Sequence, residues 1–223
     1  MMSTLGVVNN FGLSCLMVLG TAATMNGQDK AAVASSINRV FASQIGNGGT
    51  TTPWTTVLQT VFDAAGAKDK ALIVQTSTIT GLFSGDLRLS QETLLLENAG
   101  IQGRVLIDCV MPSCDGASNT VPAANLAAPG VITLDQAFHF LLQLDAGSFS
   151  AALDATAGAR TFNFYRLGIG KMPKNDHTIQ FQVRFMVDAA SVSNGFSLNG
   201  VLAGIGKRTM IVDTAHLDLD EIH

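Results

Sequence analysis

Charge is what this 223-residue chain has least of: Asp, Glu, Lys and Arg make up 13% of it, against about 25% in an ordinary soluble domain. The hydrophobic fraction, 47%, is ordinary, yet mean hydropathy is +0.32. The positive value therefore reflects missing charge, with Gly, Ala, Ser, Thr, Asn and Gln where ionic side chains usually stand. Net charge is -4 and no more than two basic residues adjoin, which excludes a nucleic-acid binder working by phosphate neutralisation. No apolar run reaches the about 20 residues of a spanning helix, so no transmembrane span is expected. There is one Trp and one Tyr, a thin supply of stacking platforms. The three cysteines are Cys15, Cys109 and Cys114; a structural zinc site wants four Cys or His ligands, and no second pair accompanies Cys109 and Cys114, so none is expected. Gly-x-Ser-x-Gly is absent, and with it the commonest sign of a serine nucleophile.

The few charges are unevenly placed. None precedes Asp29. At the other end, Asp213, Asp218, Asp220 and Glu221 stand without any Lys or Arg beyond them, and the 17 acids exceed the 13 bases by those four. The body is neutral and the net charge belongs to the tail. Residues 1–28 read as an apolar, signal-like leader: Phe11–Met25 has the length of a signal h-region, and Thr21, Ala22 and Ala23 supply small residues for cleavage. The n-region lacks Lys and Arg, so a buried first strand or helix stands as the other reading. Removal of the leader would leave Cys109 and Cys114, which flank Val-Met-Pro-Ser. Pro112 favours a turn there, and a small Cys109–Cys114 disulfide loop competes with two free thiols.

Residues 29–69 read as an N-terminal extension, partly helical. Val33, Ile37, Val40 and Phe41 have helical spacing. After the flexible 46–52, Thr52-Pro53 looks like an N-cap followed by Pro at the first helical position. Trp54, Val57, Leu58, Val61 and Phe62 continue that spacing to Gly66, although an extended Trp54–Thr60 competes with it. From residue 70 the pattern changes to short strands separated by Gly and Asn clusters, notably Leu167–Asp176 and Ser191–Gly206. Ala71–Ser77, Arg104–Val110, Thr161–Tyr165 and Thr209–Asp213 are strand-like. In Thr178–Phe185, Ile179, Phe181, Val183 and Phe185 alternate with Thr178, Gln180, Gln182 and Arg184, as a half-buried strand requires. One inserted helix is expected from the capping pair Thr133 and Gln136, with Leu134, Phe138, Leu141 and Leu142 on a face. The fold class is mainly β: an antiparallel, jelly-roll-like β-sandwich over 70–217, with one inserted helix, an N-terminal extension and an acidic tail at 218–223.

Three runs carry a resemblance: Thr161-Phe-Asn-Phe-Tyr165 with the following Leu167-Gly-Ile-Gly170, His177-Thr-Ile-Gln-Phe-Gln-Val-Arg184, and Gly206-Lys-Arg-Thr-Met-Ile-Val212. Together they resemble the closing strands of tumour-necrosis-factor and C1q-like jelly rolls, as found in secreted prokaryotic and phage tail-associated proteins. Leu72–Ser77 and Gly103–Asp108 look like earlier strands of the same pattern. The resemblance covers 70–217, implies a fold and a surface or extracellular role, and carries no enzyme residues across.

Site candidates are sparse. His177 beside Asp176 reads as a residue that hydrogen-bonds its loop, and His139 as a half-buried helix residue. Gly168-Ile-Gly-Lys171 and Gly204-Ile-Gly-Lys207 lack the full phosphate-loop spacing and read as hairpin loops. His216, Asp218 and Asp220 share one face of an extended chain, with Glu221 and His223 near, yet the mixed donor set suits neither hard nor borderline metals. No catalytic residue, metal or cofactor is expected, and no enzyme. The expected function is that of a secreted or surface structural or adhesive sandwich forming a homo-oligomer. The alternative is a carbohydrate- or ligand-binding module using Trp54 and Tyr165.

Overall fold

The computed structural model describes residues 31–65, 70–109, 121–143, 149–168 and 176–216, with side chains outside 85–97, 139–143, 149–154 and 190–199. Eight strands form: β1 (Ala32–Ser36), β2 (Val40–Ile45), β3 (Gly48–Thr51), β4 (Thr55–Asp63), β5 (Lys70–Ile107), β6 (Ile132–Gln143), β7 (Phe149–Arg166) and β8 (Asp176–His216). The one helical element among the described residues is a three-residue 3-10 turn at Ala123–Asn125. The chain is mainly β, and its two antiparallel sheets are consistent with a β-sandwich.

Two very long strands make the frame. β5 and β8 pair antiparallel from Lys70↔His216 to Ile107↔Ile179. Along the free edge of β8 run β1, β2, β3 and β4, from Ala32↔Val212 to Asp63↔Asp176. Along the free edge of β5 run β7, opposite Leu72–Leu89, and β6, opposite Thr93–Gly103. The result is a ribbon four strands wide. Gly46 and Gly48, at φ 76° and 141°, turn the outer strand between β2 and β3, a conformation that favours glycine.

The two halves of this ribbon pack on each other. The first sheet holds β1 and β2, the end of β8, the start of β5, and β7. The second holds β3 and β4, the start of β8, the end of β5, and β6. One core joins them: Leu72, Val74, Phe164, Ala203 and Val212 of the first meet Ile101, Val105, Phe181, Val183 and Phe185 of the second. Phe164 and Phe181 face each other with centroids 6.3 Å apart. The alternation expected of Thr178–Phe185 is borne out on its core side, where Ile179, Phe181, Val183 and Phe185 are all buried. The segment 121–130 links both sheets, pairing Leu126 with Leu106 and Ala128 with Tyr165.

The helical expectations are corrected. Residues 133–142 lie in β6 and pair residue by residue with β5. A register shift beside Ile101 and Gln102 sets Leu134 apart from the ladder, where it packs over Gly103. Such a shift breaks period-2 alternation, and the broken pattern imitates a helical one. The same holds in β4, where the extended alternative is what forms. A bulge between Thr56 and Leu58 leaves neighbours Val57 and Leu58 both buried. In β1 and β2 the error has another cause. Ala32 and Ala34 are the buried residues, while Val33, Ile37 and Phe41 point to solvent. Residues 32–63 therefore join the sandwich that was expected to begin at residue 70. The separators expected at 191–206 are instead continuous β8. Gly66, Val110, the leader 1–28 and the tail 218–223 lie outside the described residues.

Candidate functional site

Four places among the described residues use ionisable side chains to join strands. The first is the outer surface of the second sheet. Arg104 on β5 pairs with Gln182 on β8, and Arg184 pairs with Gln102, so the two arginines are diagonal neighbours. Trp54, just before β4, lies across both, with its centroid 4.2 Å from the Arg104 guanidinium carbon and 4.7 Å from that of Arg184. Arg104 Nε donates to Gln182 Oε1 at 2.9 Å, Gln182 Nε2 donates to Thr56 Oγ1 at 3.1 Å, and Arg184 Nε donates to Gln102 Oε1 at 2.7 Å. Trp54 is 5% exposed and Arg104 2%. Burial, with the Arg184 charge second to it, lowers the Arg104 pKa to about 10. Arg104 Nη2 is buried without a hydrogen-bond partner, where the indole face supplies a cation–π contact instead.

The second place is the open end of the same sheet. Asp108 directly follows β5 with φ 50°, an αL conformation Asp tolerates better than most residues. That turn aims its carboxylate at the start of β8. Oδ1 accepts from Thr178 N at 2.9 Å, and Oδ2 meets His177 Nδ1 at 2.5 Å. The His177 side chain is fully buried and its Nε2 has no partner. A general base must reach the proton it removes, and this nitrogen faces protein on all sides. The pair is a clasp between two strand ends. His177 thus hydrogen-bonds its neighbourhood as the sequence suggested, through Asp108 and not Asp176. Cys109, the next residue, is disulfide-bonded; Cys15 and Cys114 lie outside the described residues.

The third and fourth places join the layers. Arg208 on β8 is buried and donates to three main-chain carbonyls: Nε to Val57 at 3.1 Å, Nη1 to Asn38 at 2.5 Å and to Gly206 at 3.0 Å. Desolvation pushes its pKa below the ordinary value. Asp135 on β6 accepts from Thr80 on β5 at 2.5 Å and from Arg160 on β7 at 3.3 Å.

The residues expected to meet a ligand are apart. Trp54 is covered on the second sheet, while Tyr165 is half exposed at the end of β7 on the first. Gly204–Lys207 is strand, not hairpin loop. Gly168 occupies a turn with φ 66°, and 169–171 lie outside the described residues. His139 lies on β6 opposite Glu97. His216 ends β8 opposite Lys70; Asp218, Asp220, Glu221 and His223 lie outside the described residues. Among the described residues no group of three His, Cys, Asp or Glu is placed to hold a metal ion, and no helix is long and apolar enough to cross a membrane. Sequence reasoning missed Arg104, Asp108 and Arg208, because each acquires its role from the β5–β8 register and from bulges that no local pattern announces.

No family model matches the chain, and no curated protein does. Two solved structures, of the Gx and Gt strains of infectious bursal disease virus, are each similar at 11% identity with a TM-score of 0.15. The matches cover 89% of this chain and 45% and 46% of those chains, so the chain spans about half their length. Likeness this slight transfers neither fold nor activity.

Proposed function

We propose that the chain is a non-catalytic structural β-sandwich of jelly-roll type that assembles with copies of itself in a secreted or surface setting. The observation that carries this reading is the use made of ionisable groups. Arg208 holds three carbonyls, Asp108 clasps His177, Asp135 joins Thr80 to Arg160, and Arg104 and Arg184 lie under Trp54. Each ties strand to strand or layer to layer. A catalytic site instead presents perturbed groups in an open cleft.

The jelly-roll topology is supported by the strand order. Folding a four-strand ribbon across its middle yields two four-column sheets in which sequence-distant strands alternate, as in double Greek-key sandwiches. The tumour-necrosis-factor and C1q-like resemblance belongs to the same proposal, through His177–Arg184 and Gly206–Val212, which supply the core of β8. Self-assembly is supported by surfaces poor in charge, which desolvate cheaply on contact. Multi-angle light scattering of the full chain tests the reading. An oligomer is expected, and a strict monomer at high concentration refutes it.

A further inference from the structure

We propose that the outer face of the first sheet is a face-to-face interface with a second copy of this chain; the inference rests on the self-assembly reading and assigns its surface. The pairing registers define that face. Across β2, β8, β5 and β7 run the rows Phe41–Gly204–Gly81–Ala157 and Ser43–Leu202–Phe83–Ala155, with Ile79, Ile211 and Val33 beyond them. Phe41 is 64% exposed and Ile45 71%, and Ile79, Phe83, Leu202 and Ile211 are exposed too. Among the described strand positions of the face, Lys207 and Asp213 are the only charges.

Glycine gives the second observation. Gly81, Gly200, Gly204 and Gly206 all stand on this face, inside strands. Gly204 is required by the chain itself, since a Cβ there would meet Phe41 Cβ at 3.1 Å and Val40 O at 3.2 Å. The others are not. A Cβ would find its nearest neighbour at 3.9 Å at Gly81, 3.7 Å at Gly200 and 3.9 Å at Gly206. Glycine inside a strand weakens it and marks a bulge, a tight bend or close approach by another backbone. Gly206 stands at the β5–β8 register shift, whereas Gly81 and Gly200 lie in regular pairing, and a surface approaching those two would come from outside the sandwich.

Size and shape select the occupant. Four strands at about 4.8 Å spacing, over 14 residues of β8 from Gly200 to Asp213, give about 19 Å by about 45 Å. That is on the order of 800 Å², what each partner contributes to a stable standard-size interface. The face carries ridge and floor side by side, the Leu202–Phe83 row next to the Gly204–Gly81 row. A two-fold axis between those rows seats each copy's ridge on the other's floor, the reciprocal contact an isologous dimer needs.

Sedimentation velocity on the full chain tests this, with Gly81→Lys, Leu202→Lys and, as control on the other sheet, Phe138→Lys. The expected result is a dimer or larger assembly that Gly81→Lys and Leu202→Lys each weaken at least about tenfold, while Phe138→Lys leaves it unchanged. Thermal melts of each variant establish that it is folded; the two face variants lie on different strands, so either folded one suffices. An assembly that survives both face variants, or that Phe138→Lys abolishes, overturns the proposed face and leaves self-assembly standing. A monomeric wild type overturns both. If a monomeric wild type associates only once residues 1–30 are deleted, that segment and not a second copy covers the face in the full chain, and the proposal is refuted for it.

Discussion

Replacing Arg208 with Met should lower the stability of the sandwich by about 4 kcal/mol. The three carbonyls that Arg208 holds are those the strand irregularities set free. Val57 is the extra residue of the β4 bulge, Asn38 lies in the bend between β1 and β2, and Gly206 lies where the β5–β8 register shifts beside Thr78 and Thr80. A buried acceptor left without a donor costs about 1–3 kcal/mol, which over three carbonyls gives about 3–9 kcal/mol. Two effects pull toward the low end: Met fills much of the volume, and removing the guanidinium ends its own desolvation cost. About 4 kcal/mol corresponds to a fall in Tm of roughly 10 °C for a domain this size. Arg208→Lys keeps the charge but lacks the fork that spans three carbonyls, and should lose about half as much. Guanidinium denaturation monitored by circular dichroism, with calorimetry in parallel, reads both values. A loss under about 1 kcal/mol for Arg208→Met would show that the carbonyls find other donors, and that the bends are not held by this side chain.

The single tryptophan is a built-in reporter. Trp54 is 5% exposed, so its emission should be blue-shifted and resist quenching by iodide; emission like that of free indole in water would refute the packed Arg104–Trp54–Arg184 arrangement. Trp54→Ala should cost about 3 kcal/mol in a denaturation midpoint and make Arg104 accessible to phenylglyoxal. Asp108→Asn tolerates the αL backbone but weakens the His177 clasp, and should cost about 1–2 kcal/mol; Asp108→Ala also loses the Thr178 N–H acceptor and the αL tolerance and should cost more. Gly103→Ala and Gly81→Ala should differ in sign for the isolated subunit. At Gly103 a Cβ meets three Leu134 carbons at 2.9–3.1 Å, whereas Gly81→Ala has room and reduces unfolded-state freedom, a gain of up to about 1 kcal/mol. Equal effects in thermal melts would contradict the packing described.

What the sequence made legible was the part governed by strict alternation. Thr178–Phe185 reads as a strand because Ile179, Phe181, Val183 and Phe185 answer to one core. Ala71–Ser77 was legible on another ground, an aliphatic run that turns polar. Alternation fails as a guide where a bulge shifts phase, as at Val57 and Leu134. It also misleads where the larger apolar side chains face outward, as at Val33 and Phe41 opposite the small inward Ala32 and Ala34. In β1 the inward positions are alanines and the larger Val33 faces out, so side-chain size points away from the core. The interior ties were illegible for a related reason. Arg208 reaches Val57 across 151 residues and Arg104 reaches Gln182 across 78, so their partners follow from register and not from neighbourhood in sequence.

The scarcity of charge has a structural consequence beyond composition. Of the arginines described, Arg104 and Arg208 are buried, and Arg184 is part-buried beside Trp54. Such groups serve interior contacts and add no charged patch to the outer faces. Mutual repulsion scales with surface charge of one sign, and a neutral body with four surplus acids at one end offers little of it. On the proposed self-assembly, approach between copies is governed by the relief of the outer faces. On the first sheet that relief is an aromatic and aliphatic ridge beside a glycine floor, with Lys207 and Asp213 of opposite sign. Raising salt should therefore leave association on this face nearly unchanged, because there is little charge for ions to screen. A steep loss of association between low and high salt would mean that ionic groups, and not this apolar face, hold the copies together.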